Sequence, residues 1–160
     1  MGIGITDDHR ELAEVARGFL TAQKARSAAR ALLDSAEETR PPFWGELAAL
    51  GWLGLHIDEE HGGSGFGLPE LVVVVEELGR AVAPGPFVPT VIASAVIAAE
   101  GTPEQQARLL PGLIDGSLTA GVGLAGDVVL DGGAASGDAG VVLGAGLAEV
   151  LRVAAGEDVL

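Results

Sequence analysis

Two incompatible periodicities divide this chain near Gly116, so no single layer architecture can account for all of it. Before that point apolar residues recur at helical spacing, as in Leu12, Val15, Ala16, Phe19 and Leu20, and again in Leu71, Val74, Val75, Leu78 and Val82. After it, nine of the 26 residues from Gly121 to Gly146 are glycine. Short β-leaning runs (Leu118–Leu124, Val128–Leu130, Gly140–Leu143) alternate there with turn signals such as Asp131-Gly132-Gly133. The pattern predicts a mostly α chain: a helical domain of five or six helices over residues 1–116, then an incomplete β segment over 117–160.

Local signals place the helices. Thr6 is a suitable N-cap, with Asp7 and Asp8 in the first turn facing the positive helix end, and no breaker interrupts the pattern until about Asp34. Pro42 suits the first turn of a short helix that buries Trp44, Leu47 and Leu50 and stops at Gly51. The apolar run Trp52–Ile57 reads as extended. Pro69 opens a helix whose Glu76, Glu77 and Arg80 group opposite its apolar face. Pro84, Pro86 and Pro89 read as a stiff connector, and Thr90–Ala99 as a helix enclosed on every side. Thr102, Pro103 and Gln105 spell a capping box with proline at the first helical position.

Charge and composition exclude several function classes. The 160 residues carry a net charge of −14, and beyond Pro41 only Arg80, Arg108 and Arg152 oppose sixteen carboxylates. No basic stripe is available to neutralise phosphates, so nucleic acid and anionic membranes are not expected partners. The chain has no cysteine, hence no disulfide and no thiolate chemistry, which suits the cytoplasm. Its N-terminus lacks a secretory pattern, and the most apolar stretch, Val88–Ala99, is far short of the roughly 20 residues of a membrane span.

No constellation with chemistry of its own emerges. Gly63, Gly65 and Gly67 follow a G-x-G-x-G spacing without a β-α-β unit, which reads as a structural turn rather than a phosphate cradle. Asp58, Glu59, Glu60 and His61 are consecutive and cannot converge on one metal ion; they read as a solvated acidic turn. His9 and His56 are isolated, and Glu76 and Glu77 point about 100° apart on a helix. Spacing alone assigns no catalytic and no metal-binding residue.

Four segments in order, FWGELAALGWLGL, DEEHGGSGFG, VEELGR and GTPEQQARLLPGLIDG, nevertheless resemble the N-terminal helical domain of the acyl-CoA dehydrogenases. The resemblance implies an α-helical domain, a middle β-barrel and a C-terminal helical bundle, so that this chain is one part of a longer enzyme or a short partner subunit. It implies FAD as cofactor, an acyl-CoA thioester as substrate for α,β-dehydrogenation, and homo- or hetero-oligomers of acyl-CoA dehydrogenase subunits. The catalytic glutamate of such enzymes belongs to the C-terminal part, so this chain alone is expected to be inactive. The acyl wall falls by this resemblance on Phe87, Val88, Val91 and Ile92. The flavin-contacting strand of the family reads T-E-x-x-x-G-S-D where this chain has Gly123-Leu124-Ala125-Gly126-Asp127, leaving backbone contacts from Leu124 and Ala125. The family's usual proline is replaced by Asp58.

Overall fold

The computed structural model describes residues 5–155 and the strand residues 158–159. Six α-helices come first: α1 (Asp7–Ala22), α2 (Ala25–Leu32), α3 (Trp44–Ala49), α4 (Leu68–Ala81), α5 (Phe87–Glu100) and α6 (Pro103–Asp115). Five short strands follow: β1 (Ala120–Gly123), β2 (Val129–Asp131), β3 (Ala134–Ser136), β4 (Val150–Ala155) and β5 (Asp158–Val159). The chain is therefore mostly helical, as the periodicities predict.

The caps form as their sequences dictate. Thr6 accepts a hydrogen bond from the His9 amide, and the Thr6 amide donates to His9 Nδ1, each at 3.2 Å. The Nδ1 atom is thus an acceptor, which leaves the proton on Nε2 to donate to Glu70 Oε1 at 2.9 Å. Glu70 in turn accepts from the Gly67 amide at the start of α4. Two turns further on, Arg17 forks onto Glu77 at 2.8 and 3.1 Å. The two cross-links lie eight residues apart on α1 and seven on α4, which fixes these helices parallel and in register. At α6, Thr102 and Gln105 exchange the two bonds of a capping box, at 2.9 and 3.3 Å.

Several expectations are corrected. The first helix breaks at Gln23–Lys24, where Lys24 takes a left-handed conformation (φ 51°), and the turn sends Ala25 into the core at 1% exposure. No breaker marks this site; packing selects the bend. Trp52–Gly54 form a 3-10 turn, not an extended run, because Gly51 ends α3 at φ 76° and the Gly54 amide closes back on the Gly51 carbonyl. Helix α5 starts at Phe87, with Pro89 absorbed into its first turn, where a missing N–H costs nothing. Val15 and Leu50 face solvent, whereas Glu77, expected outside, is buried by Arg17. Gly140–Leu143 supplies only an isolated bridge between Leu143 and Val122, while β3 and β4 form where no strand is expected.

Two cores sit on either side of α5. Phe43, Trp44, Leu47, Trp52, Leu53, Val74, Phe87 and Val91 belong to the first; Ala93, Ile97, Leu110, Leu113, Ala120 and Val122 form the second. Phe19 meets Trp52 and Phe43 edge-on, with centroids 5.3 and 6.2 Å apart. The second core joins helices to sheet. In that sheet β1 runs parallel to β4, with Val122 opposite Arg152, and β4 runs antiparallel to β5. β2 and β3 form a separate hairpin, turned at Gly132 and Gly133 with both φ values positive (57° and 82°), as a type I′ turn requires.

Candidate functional site

The glycine loop is structural. Amides of Gly63, Ser64, Gly65 and Phe66 donate to the carbonyls of Asp58, Gly54, Ile57 and Leu55, at 2.8–3.1 Å, which laces the loop onto the preceding turn. These amides are consumed, so they cannot cradle a phosphate. Gly63 must be glycine, because a Cβ there would lie 2.0 Å from the Ile57 carbonyl oxygen. Asp58, Glu59 and Glu60 are exposed, and Glu60 meets His61 at 3.6 Å. Among the described residues no three His, Asp or Glu side chains are placed to hold a metal ion, and no helix is long and apolar enough to cross a membrane.

Buried polar side chains gather at the junction between α5 and β1. Thr90, fully buried on α5, accepts from the Ala120 amide at 3.2 Å and so ties the helix to β1. Ser94, also fully buried, donates to the Val91 carbonyl at 3.1 Å. His56 reaches the same carbonyl from the turn after α3, Nε2 to oxygen 3.0 Å, which requires the proton on Nε2. Its Nδ1 is buried without a partner, and burial pushes the imidazole below its ordinary range against the opposing Val91 bond. On the far side of β1, Thr119 donates to Glu149 from both its amide and hydroxyl, each at 2.7 Å. Burial acts to raise the Glu149 carboxyl, but these bonds and Arg40 prevail and hold it below the usual range. Arg40 also donates to the carbonyls of Gly116 and Ser117, and Trp44 Nε1 to that of Gly116 at 2.9 Å. The connection from helix to strand is thereby clamped.

The residues assigned by resemblance lie on this junction. Phe87 and Val91, one turn apart on α5, are buried in the first core. Val88 and Ile92, the adjacent stripe, are more open: Val88 is 37% exposed, and Ile92 is half-buried against the second core. Leu124 and Ala125 follow the last residue of β1 and are exposed. Sequence reasoning missed Arg152. Its register partner is Val122, so both side chains point to the same face of the sheet, and its Nε is buried without a partner. The lone arginine in a run of apolar strand residues was the available signal.

These features meet a clear set of relatives. Residues 6–117 match the family description "Acyl-CoA dehydrogenase, N-terminal domain". The chain belongs to the acyl-CoA dehydrogenase family. It is 34% identical over 151 residues to acyl-CoA dehydrogenase FadE34 of Mycobacterium tuberculosis, covering 88% of this chain and 20% of that protein. It is 43% identical over 81 residues to FadE12 of the same species, covering 48% of this chain and 20% of the relative. Among solved structures, a variant of the Tcur3481-Tcur3483 steroid ACAD superposes with a TM-score of 0.79 at 34% identity, covering 98% of this chain and 47% of that one. The ChsE4-ChsE5 complex of M. tuberculosis shares the fold (TM-score 0.82, 23% identity, 97% and 45% covered). The chain thus spans about a fifth of the length of these curated relatives and under half of the solved chains.

Family membership brings FAD into question, and two local features fit it. Leu124 and Ala125 are exposed residues just past the end of a strand, flanked by Gly123 and Gly126, and Arg152 carries a buried nitrogen with no acceptor. An anionic cofactor offers acceptors for such a group.

Proposed function

We propose that this chain is the N-terminal portion of an FAD-dependent acyl-CoA dehydrogenase-like protein that carries out α,β-dehydrogenation of an acyl-CoA thioester. The reading rests on the α5–β1 junction, where an apolar helix stripe and an exposed strand end are held together by Thr90. Val88 and Ile92 form the acyl-facing stripe, with Phe87 and Val91 packed behind them as its support. The backbone of Leu124 and Ala125, with Arg152 nearby in the sheet, holds the cofactor's polar edge. When bound, FAD supplies the acceptor for the β-hydride of the thioester. This chain binds and excludes water; the acid–base group comes from another part of the protein, because every buried carboxylate described here is engaged. Glu77, for one, is held by the two bonds from Arg17.

Substitution separates an acyl wall from plain packing. Val88→Phe in the assembled enzyme should shorten the accepted acyl chain while the melting temperature holds, because Val88 is already open. Val91→Phe should instead overpack the first core, costing about 1–3 kcal/mol. An unchanged chain-length profile in the folded Val88→Phe enzyme would remove support for the wall.

A second reading is a non-catalytic subunit that packs on a catalytic homologue. It is favoured by the loss of hydroxyl and carboxylate side chains at Gly123-Leu124-Ala125-Gly126, and by relatives described as two-component assemblies. Flavin absorbance decides between them. Stoichiometric FAD in an assembly whose only other component is this chain's own C-terminal part supports the first reading; FAD found only when a separate homologue is present supports the second.

A further inference from the structure

We propose that the cavity between α1, α2 and α4 is a binding site for a phosphate-bearing small molecule, separate from the α5–β1 junction. The cavity measures about 430 Å3 and is lined by Arg17, Lys24, Arg26 and Arg80, with Glu77 as the only carboxylate in its wall. Arg30 lines the adjoining groove, with Asp34 as that groove's carboxylate. Five of the nine lysines and arginines of a chain with a net charge of −14 therefore converge on one place. Such a concentration of like charge destabilises the free fold by mutual repulsion and focuses anions.

The local pairing leaves positive charge to spare. Arg17 is committed to Glu77, and Arg80 to Glu76 and Glu77. Arg26 spends one nitrogen on the Arg80 carbonyl, at 3.0 Å. Lys24 makes no ion pair among the described residues, although it stands at the rim in a left-handed conformation that only glycine adopts freely. The same Lys24 is the N-cap of the eight-residue α2 and offers no side-chain acceptor to its first amides. Thr21 and Ser27 add hydroxyls, while Leu20, Ala25 and Ala81 give an apolar floor. The volume is within the usual range for small-molecule sites and well above what a bare phosphate fills, so an organic body attached to the phosphate is expected. None of these residues belongs to the acyl or flavin assignment, so this site stands or falls independently of that reading.

ADP is the probe, titrated by calorimetry into the protein and followed in parallel by amide chemical shifts. One-to-one saturable binding is expected, with shifts centred on Thr21, Ala25 and Ser27. Lys24→Gln combined with Arg26→Gln should weaken it by about tenfold or more, since charge-assisted contacts carry the recognition. Both side chains are exposed, so the variant should keep its helical circular dichroism. Arg108→Gln on α6, which removes a cation away from the cavity, should change affinity by less than about twofold. Absence of saturable binding at low millimolar ADP, shifts centred elsewhere, or equal weakening by Arg108→Gln would each overturn the assignment.

Discussion

Replacing Gly63 by alanine should be among the most damaging single-methyl changes available in this chain. The added Cβ would lie 2.0 Å from the Ile57 carbonyl oxygen, 2.5 Å from its carbon and 2.6 Å from the Ile57 Cβ. Carbon atoms in comfortable contact sit about 3.5–4 Å apart, so the loop must retreat by roughly an ångström or more. The amide of Gly63 and those of Ser64, Gly65 and Phe66 bond to carbonyls on the opposing turn at 2.8–3.1 Å, and a retreat of that size stretches all of them. Losing all four at about 1 kcal/mol each gives a cost near ~4 kcal/mol. Two comparisons isolate the cause. Gly62 has φ +84° but open space, so Gly62→Ala should cost only about 1–2 kcal/mol of backbone strain. Gly18, inside α1 with nothing near, should stabilise by roughly 0.5–1 kcal/mol as alanine. Urea unfolding followed by fluorescence of the buried Trp44 and Trp52 gives all three values. If Gly63→Ala matched Gly62→Ala, the close approach to Ile57 would not be what demands glycine there.

Three further outcomes are expected. Arg17→Met, which strips the buried Glu77 of its forked partner, should lower the urea midpoint clearly, whereas Arg10→Met, which breaks an exposed pair with Asp7, should leave it nearly unchanged. Val82→Gly should raise the melting temperature slightly, because relieving a left-handed valine (φ 52°) that is 56% exposed recovers about 1–2 kcal/mol against about 0.5–1 kcal/mol of glycine entropy. Burial lowers the His56 pKa in the folded state, so the unfolded chain binds the proton first as pH falls; stability is full above about pH 6.5 and declines below it, and His56→Gln should flatten that part of a denaturation series.

What could be read from the sequence was what adjacent residues decide. Thr102 and Gln105 meet because a capping box lies within one turn, and Gly132-Gly133 turn a hairpin because both accept positive φ. What could not be read depended on partners far along the chain. Glu77 looked solvent-facing until Arg17, sixty residues earlier, covered it. The run from Val150 pairs in parallel with β1 across some thirty residues, a contact that no local period encodes. For the candidate site, the helix was legible as enclosed, but its division into a buried Phe87/Val91 stripe and a more open Val88/Ile92 stripe required both neighbouring cores.

The polar interior is almost fully paired. Among the described residues the buried polar ones are His9, Glu77, Thr90, Ser94 and Thr119, and each has a partner within the fold: Glu70, Arg17, the Ala120 amide, the Val91 carbonyl and Glu149. A group so engaged stabilises the structure. The exceptions are His56 Nδ1 and Arg152 Nε, both buried and unpaired. His56 contacts α5 at Val91, while Arg152 stands opposite Val122 on β1, so the two orphans flank the same helix–strand junction. An unmet donor and an unmet acceptor each cost about 1–3 kcal/mol when buried. The more open stripe of Val88 and Ile92 lies on that same helix, which is where the proposed acyl contacts fall.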